Sequence, residues 1–243
     1  MTTIEFLIVL IATFFISAAT LLTGFGVGTV LTPTFTLFYD VKTAVFLVSI
    51  VHLGNNLLKL GLFAKHVNKE ILWRFGAISI VGAVAGSLLQ GVLAGGIVRI
   101  ALALFLIASG AGEFFPKHLS FRFPRRVDMF GGFFSGFMGG MIGNQGAIRS
   151  AYLLNYNLSK EAFIATATVI AIVIDLSRIP VYLLEHSGEF VLVGPQLVTL
   201  TVVAFAGTLM GKRLLKSISL EKFRATVSAF ILLFGFYLLF TPS

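Results

Sequence analysis

Long apolar runs recur along the whole chain and constrain its fold more than any other feature of the sequence. Each run is long enough to cross a bilayer core of about 30 Å as a helix, and they lie near residues 4–23, 43–64, 71–93, 97–115, 161–184, 190–211 and 222–240. Only 12% of the residues are charged, whereas a soluble domain carries roughly a quarter. The sequence therefore predicts an all-α polytopic membrane protein.

The net charge of +8 and the absence of cysteine limit the classes of function that remain. In a membrane protein the basic excess indicates loops on the cytoplasmic side, and we expect no nucleic-acid partner. Without cysteine, disulfide and thiolate chemistry are excluded. The start of the chain lacks a basic n-region and a clear cleavage site, so it is interpreted as a retained first helix rather than a signal peptide.

The order of segments predicts two related halves. Five segments precede a basic stretch and five follow it, because two shorter segments at 27–39 and 147–156 complete the series. An offset of 118 residues places Gly28 on Gly146 and Lys42 on Lys160. We expect one transmembrane domain over 1–243, made of repeat one (1–115), a basic cytoplasmic linker (116–127) and repeat two (128–243).

Charge placement predicts that the two repeats are inverted. Basic residues concentrate in alternate connections, at 65–74, 116–128 and 212–224, whereas the connections at 94–96 and 185–189 have no Lys or Arg. The positive-inside rule puts the basic connections in the cytoplasm, so five segments per half leave the second half upside down. This arrangement is typical of secondary transporters.

Glycine-rich breaks near the start of each half predict a binding site. The stretch GFGVG at 24–28 precedes one short segment, which contains Pro33, and GGMIGNQG at 139–146 precedes the other. We expect the two segments to be too short to cross the membrane and Pro33 to interrupt a regular helix. A broken helix offers free N–H groups to an anion. The alternative is close helix packing through G-x-x-x-G spacing, which is favoured for 82/86 and 207/211.

Polar and charged residues inside the apolar segments extend the candidate site. His52, Asn55, Asn56 and Lys59 share one helical face, and Asp175 is spaced to pair with Arg178. Charges at bilayer depth usually mark pathways, although Lys59 and Arg178 have the alternative of reaching the membrane surface. The candidate substrate-binding residues are Gly24, Gly26, Gly28, Thr29, His52, Asn55, Asn56, Lys59, Asn144, Gln145, Gly146, Arg149 and Arg178, and the proton-coupling candidates are Asp175 and His52.

The sequence resembles the sulfite exporter TauE/SafE family of membrane proteins. The resemblance depends on GVGTVLTPTF at 26–35, its degenerate copy beginning GNQGAIRSAYLL at 143–154, GAVAGSLL at 82–89 and AFAGTLMG at 204–211. It implies transport of sulfite, sulfonates or related organic anions across the plasma membrane. The second half departs from the family pattern, with Asn144 and Gln145 in place of glycines and Arg149 within the motif.

The leading hypothesis is a secondary transporter for a small anion, working by alternating access and coupled to protons. An anion channel or uniporter would use the same lining, and the sequence does not separate these classes. An intramembrane enzyme is less favoured, because no metalloprotease or serine-nucleophile motif is present. We expect no cofactor and no metal. The expected partners are the anion and the lipid bilayer, the expected location is the bacterial inner membrane, and a homo-oligomer remains open.

Overall fold

The computed structural model describes residues 2–23, 26–112, 114, 127–214 and 220–241. All regular structure in this part of the chain is helical, as the sequence predicts. The helices are α1 (Thr3–Thr23), α2 (Val27–Phe35), α3 (Val41–Phe63), α4 (Lys69–Ile71), α5 (Ala77–Val92), α6 (Gly95–Gly112), α7 (Asp128–Ile142), α8 (Gly146–Leu153), α9 (Lys160–Leu214) and α10 (Leu220–Phe240). A 3₁₀ turn over 64–66 follows α3, and a π-helical turn over 72–76 joins α4 to α5.

Within the described residues, six helical stretches are long and apolar enough to cross a membrane. They are Thr3–Thr20, Val41–His66, Lys69–Val92, Gly95–Gly112, Lys160–Leu184 and Val193–Arg213. Their outward faces carry large apolar side chains, such as Phe15, Leu104 and Val202. The fold is that of a multi-pass membrane protein whose lipid-facing surface is apolar.

Glycines let three pairs of helices pack backbone against backbone. A Cβ added at Gly82 or Gly86 of α5 would overlap the α7 backbone, and one at Gly207 of α9 would overlap α1 at Phe14. In the third pair, a Cβ at Gly110 of α6 would lie 2.8 Å from the α10 backbone. The predicted packing role of the 82/86 and 207/211 spacings is therefore confirmed.

Two short helices, α2 and α8, each lie next to a glycine in a backbone conformation that other residues rarely adopt. Gly26 precedes α2 with φ 86°, and Gly143 follows α7 with φ 75°. Because α2 and α8 have nine and eight residues, they rise only about 12 to 14 Å and do not cross the membrane alone. The expectation that Pro33 interrupts the helix is wrong, since α2 continues through it to Phe35. Pro33 lacks the N–H that other residues inside a helix donate, so α2 forgoes one backbone hydrogen bond there.

The predicted connection at 185–189 lies between two spans of the structure, Lys160–Leu184 and Val193–Arg213. Both spans belong to α9, which is kinked at His186, where the backbone angles are non-helical (φ −114°, ψ 22°). The two arms of α9 on either side of His186 correspond to the predicted segments 161–184 and 190–211.

The bundle has two distinct ends. The basic end is where α3 finishes and α9 begins, and it exposes Lys65, Lys69 and Arg74. The opposite end carries the turn over 36–40, in which Asp40 caps α3 by accepting the N–H groups of Lys42 and Thr43. A large apolar cluster joining α2, α3, α6, α9 and α10 fills the bundle toward this opposite end.

Candidate functional site

Two glycine-containing stretches, at 26–28 and 143–146, meet inside the bundle, although they are far apart in the sequence. A Cβ added at Gly28 would lie 3.1 Å from the carbonyl oxygen of Gly143. One added at Gly26 would lie 3.9 Å from Cα of Gly146 and 3.9 Å from Nε2 of His52. The starts of α2 and α8 therefore approach each other beside the middle of α3. We call this region the central site.

Neither short helix has a side-chain cap at its start in the described part of the chain. Gly26, which precedes α2, has no side chain, and the side chain of Gln145, which precedes α8, accepts no hydrogen bond from a backbone N–H of that helix. The first N–H groups of a helix have no partner within the helix itself. Two helix starts therefore direct N–H groups and the positive ends of their dipoles toward one region.

A buried chain of charged groups joins α3 to the first arm of α9. Nδ1 of His52 lies 2.7 Å from Oδ2 of Asp175, and Oδ1 of Asp175 accepts hydrogen bonds from Nε and Nη2 of Arg178 at 3.0 and 2.8 Å. The third guanidinium nitrogen of Arg178 donates to the carbonyl oxygen of Gly139, near the end of α7. Asp175 and Arg178 therefore compensate each other's charge. Through Arg178, the pair also connects α9 to the end of α7.

Two further cations at the central site have no such compensation. Lys59 is 6% exposed and Arg149 is 4% exposed. No carboxylate in the described part of the chain lies within ion-pair distance of either. Among the described residues, Arg149 donates only to the amide oxygen of Gln145, at 3.2 Å, and its Nε has no hydrogen-bond partner. The central site therefore carries an excess of positive charge.

Amide groups beside Arg149 also lack partners. Neither polar atom of the Asn144 side chain, nor Nε2 of Gln145, has a hydrogen-bond partner in the described residues, and both side chains are buried. An unsatisfied buried polar group costs about 1–3 kcal/mol. Three unpaired polar atoms at one helix start indicate a place where a polar ligand or water is held.

A small cavity of about 40 Å³ connects the central site to the basic end of the bundle. A cavity of this size has room for one or a few water-sized groups. Its polar lining comes from four regions of the chain, the end of α1, the face of α3, the middle of α8 and the start of α9, and consists of Thr20, His52, Asn56, Lys59, Arg149 and Thr168. Near the basic end, Phe163 and Ile164 complete the wall.

The structure brings most of the predicted site residues together, with two exceptions. Gly24 lies outside the described residues. Asn55 is turned away from the cavity, and its Oδ1 accepts a hydrogen bond from Thr208 of the second α9 arm at 2.8 Å. The predicted pairing of Asp175 with Arg178 is present, and Arg178 is fully buried rather than extended to the membrane surface.

Sequence reasoning missed Tyr182 and Thr20. The hydroxyl of Tyr182 donates to the carbonyl oxygen of Gly140, so it holds a second carbonyl at the end of α7. Tyr182 follows Arg178 by four residues and lies on the same helical face. That spacing could have predicted that Tyr182 belongs to the same buried group. Thr20 offered no comparable signal, because a threonine near a helix end is common in membrane helices.

Six apolar spans that surround a buried polar centre are typical of membrane transport proteins. The sequence profile of the family described as "Sulfite exporter TauE/SafE" matches residues 9–238. The chain therefore belongs to the TauE/SafE sulfite exporter family, a family of membrane transporters and not of enzymes. No curated protein gives a match to the chain. The protein is a multi-pass protein of the plasma membrane.

Proposed function

We propose that this protein is a secondary transporter that moves a small anion through the central site by alternating access. The observation that carries the proposal is the pair of buried cations, Lys59 and Arg149, that face one cavity without a carboxylate partner. A charge at bilayer depth costs about 2.5–3.5 kcal/mol even on the lenient insertion scale. A bound anion offsets this cost for both side chains, which gives the site its selectivity for negative charge.

The anion binds between the starts of α2 and α8. N–H groups near Gly28, Thr29 and Gly146 donate to its oxygens, and the lack of side chains at the glycines lets the anion approach the backbone. Asn56, Asn144 and Gln145 add amide donors, and His52 borders the same space. Multiple donors and two cations suit a compact oxyanion. Together with the family membership, this chemistry favours sulfite or a small sulfonate.

Arg178 and Asn55 act indirectly in this proposal. Every guanidinium nitrogen of Arg178 is occupied by Asp175 or by Gly139, so Arg178 fixes the orientation of the carboxylate rather than binding the anion. Asn55 joins α3 to the second arm of α9 through Thr208. Both residues hold the helices that carry the cavity lining.

The pattern of helix contacts supports inverted repeats with the boundaries 1–115 and 128–243. The first helix of each half packs on the fourth helix of the other, as α1 does on the second α9 arm and α7 does on α5. The fifth helices, α6 and α10, pack on each other. Such reciprocal contacts are expected where two halves are related by a two-fold axis in the membrane plane. We propose that the transport cycle exchanges the conformations of the two halves.

The cavity and the apolar core support an inward-open conformation. The cavity extends from His52 toward Lys59 and Phe163, which lie near the basic end, and the positive-inside rule makes that end cytoplasmic. Toward the opposite end, Phe46 stacks on His186 with ring centroids 5.5 Å apart and meets Tyr182 edge-on at 6.3 Å. We propose that these three rings, the aromatic gate, close the external path.

The contact between His52 and Asp175 supports coupling to protons. Histidine changes its charge between about pH 5 and 8 when unperturbed, and it contacts a carboxylate across the two halves of the chain. A proton taken up by this pair alters the charge opposite Arg149 and therefore the affinity for the anion. We propose that the pair carries the coupling proton.

Flux in proteoliposomes tests the proposal. Purified protein is reconstituted and uptake of radiolabelled sulfite is measured with and without an imposed proton gradient, with sulfonates and carboxylates as competitors. Accumulation against the sulfite gradient is the expected result. Equilibration without accumulation would instead indicate the second candidate, an anion channel or uniporter, which the same cationic lining allows. Absence of flux for every anion would contradict both.

A further inference from the structure

The charges of the central site do not cancel among the described residues. Asp175 and Arg178 neutralise each other through two hydrogen bonds, and His52 adds no charge while it is neutral. Lys59 and Arg149 remain, and no carboxylate in the described part of the chain lies within ion-pair distance of either. With His52 neutral, the central site therefore has an excess of two positive charges.

Both of these cations face the same small cavity. Lys59 reaches it from α3 and Arg149 from α8, and its volume of about 40 Å³ has room for one or a few water-sized groups. Two separate anions in so small a space would repel each other at close range. A single anion that meets both side chains avoids this repulsion.

Most of the buried polar atoms that lack partners at this site are donors. Nε of Arg149 and Nε2 of Gln145 have no hydrogen-bond partner in the described residues, and the hydroxyl of Thr20 at the cavity wall has none either. The charged groups of Lys59 and Arg149 contain no acceptor atom. An O–H on the ligand would face these donors, whereas a fully deprotonated oxyanion offers an oxygen to each of them.

We propose that the central site selects a compact oxyanion with two negative charges, and that Lys59 is the residue that sets this number. The inference rests on the proposed function, because it assigns the charge of the anion that the function requires. A dianion balances Lys59 and Arg149 together. A singly charged anion, such as a sulfonate or hydrogen sulfite, leaves one buried cation without a counter-charge, which is costly at this depth.

Lys59 and Arg149 contribute to this selection in different ways. Arg149 donates to the amide oxygen of Gln145 and presents a planar group, which can bind two oxygens of an anion of either charge. Lys59 adds a compact point charge. Replacing Lys59 by glutamine therefore lowers the positive charge of the site by one and leaves in place the guanidinium that orients the anion. The variant is expected to lose the preference for a dianion.

Calorimetric titration of the purified full chain in detergent tests the inference with two pairs of anions. Sulfite and chlorate are both pyramidal, sulfate and perchlorate are both tetrahedral, and the second member of each pair carries a single charge. We expect the unmodified protein to bind the dianion of a pair about tenfold more tightly than the monoanion, and this ratio to fall about tenfold in Lys59→Gln. Because the hydration of each anion is the same in both titrations, the change in the ratio isolates the side chain.

Two further variants serve as controls. Lys59→Arg keeps the charge and is expected to keep the preference for the dianion, and Arg74→Gln, at an exposed arginine of the basic end, is expected to leave every affinity unchanged. If the unmodified protein bound each monoanion as tightly as the dianion of the same shape, the inference would be overturned while the proposed function stood. An unchanged ratio in a folded Lys59→Gln protein would remove Lys59 from this role. No binding of any anion would overturn the proposed function as well.

Discussion

His52 and Asp175 are in direct contact across the two halves of the chain, with Nδ1 of the first 2.7 Å from Oδ2 of the second. Each residue lies in the third segment of its own half, counting the short segment as the second. The contact therefore joins the two helices that carry the walls of the central site. Any change in the protonation of this pair acts on both halves at once.

Replacing His52 by glutamine is predicted to uncouple transport from the proton gradient. Glutamine can donate a hydrogen bond to Asp175 but does not take up a proton near neutral pH. We expect His52→Gln proteoliposomes to exchange sulfite across the membrane yet to lose its accumulation under an imposed pH gradient. Gradient-driven accumulation that persists at the level of the unmodified protein would remove His52 from the coupling mechanism.

Neutralising Arg149 is predicted to weaken anion binding. A hydrogen bond to a charged group contributes about 1.5–3 kcal/mol, so Arg149→Gln should lower the apparent affinity for sulfite by about ten- to a hundredfold. Concentration-dependent uptake measures this change. Arg74→Gln serves as the control, because Arg74 makes only an exposed pair with Glu70. If both variants lost affinity equally, Arg149 would not be a binding residue.

Truncating Phe46 is predicted to open the external path. Phe46 is fully buried and touches both Tyr182 and His186, so Phe46→Ala leaves a gap at the centre of the aromatic gate. We expect sulfite to leak down its gradient through this variant without coupling to protons. The control is Phe15→Ala, at a lipid-facing position of α1. A Phe46→Ala protein that remained tightly coupled would place the gate elsewhere.

Adding one methyl group at Gly136 is predicted to destabilise the fold. A Cβ there would overlap the backbone of Ser79 on α5, so the two helices must separate. Overpacking of this kind costs about 1–3 kcal/mol. Thermal unfolding in detergent should show a lower midpoint for Gly136→Ala than for Gly61→Ala, since a Cβ at Gly61 meets nothing within 4 Å. Equal midpoints would show that the α5–α7 contact is not tight.

The sequence was informative where a physical constraint acts locally. Apolar runs predict spans because lipid excludes unpaired backbone groups. The glycines at positions 26 and 143 fit their positive φ angles, because only glycine adopts such angles readily. The pairing of Asp175 with Arg178 follows from helical spacing alone. These features depend on residues that are near each other in the chain.

Features that depend on distant residues were less accessible. Asn55 lies about 60° around α3 from His52, given 100° per residue, and only the position of Thr208 decides that Asn55 turns to α9. The contact of His186 with Phe46, which are far apart in the sequence, could likewise not be read from the local sequence around the kink. A helical pattern defines a face, whereas the partners of that face come from the rest of the fold.

The shortness of α8 has a consequence for how the protein is made. An eight-residue helix that contains Arg149 neither spans the bilayer nor partitions into it alone, so the insertion machinery does not treat it as an independent span. Its polar surroundings exist only after α3 and α9 lie beside it, and α9 is synthesised later. The α7–α8 hairpin must therefore settle into the membrane late, which makes the central site one of the last parts of the nascent protein to mature.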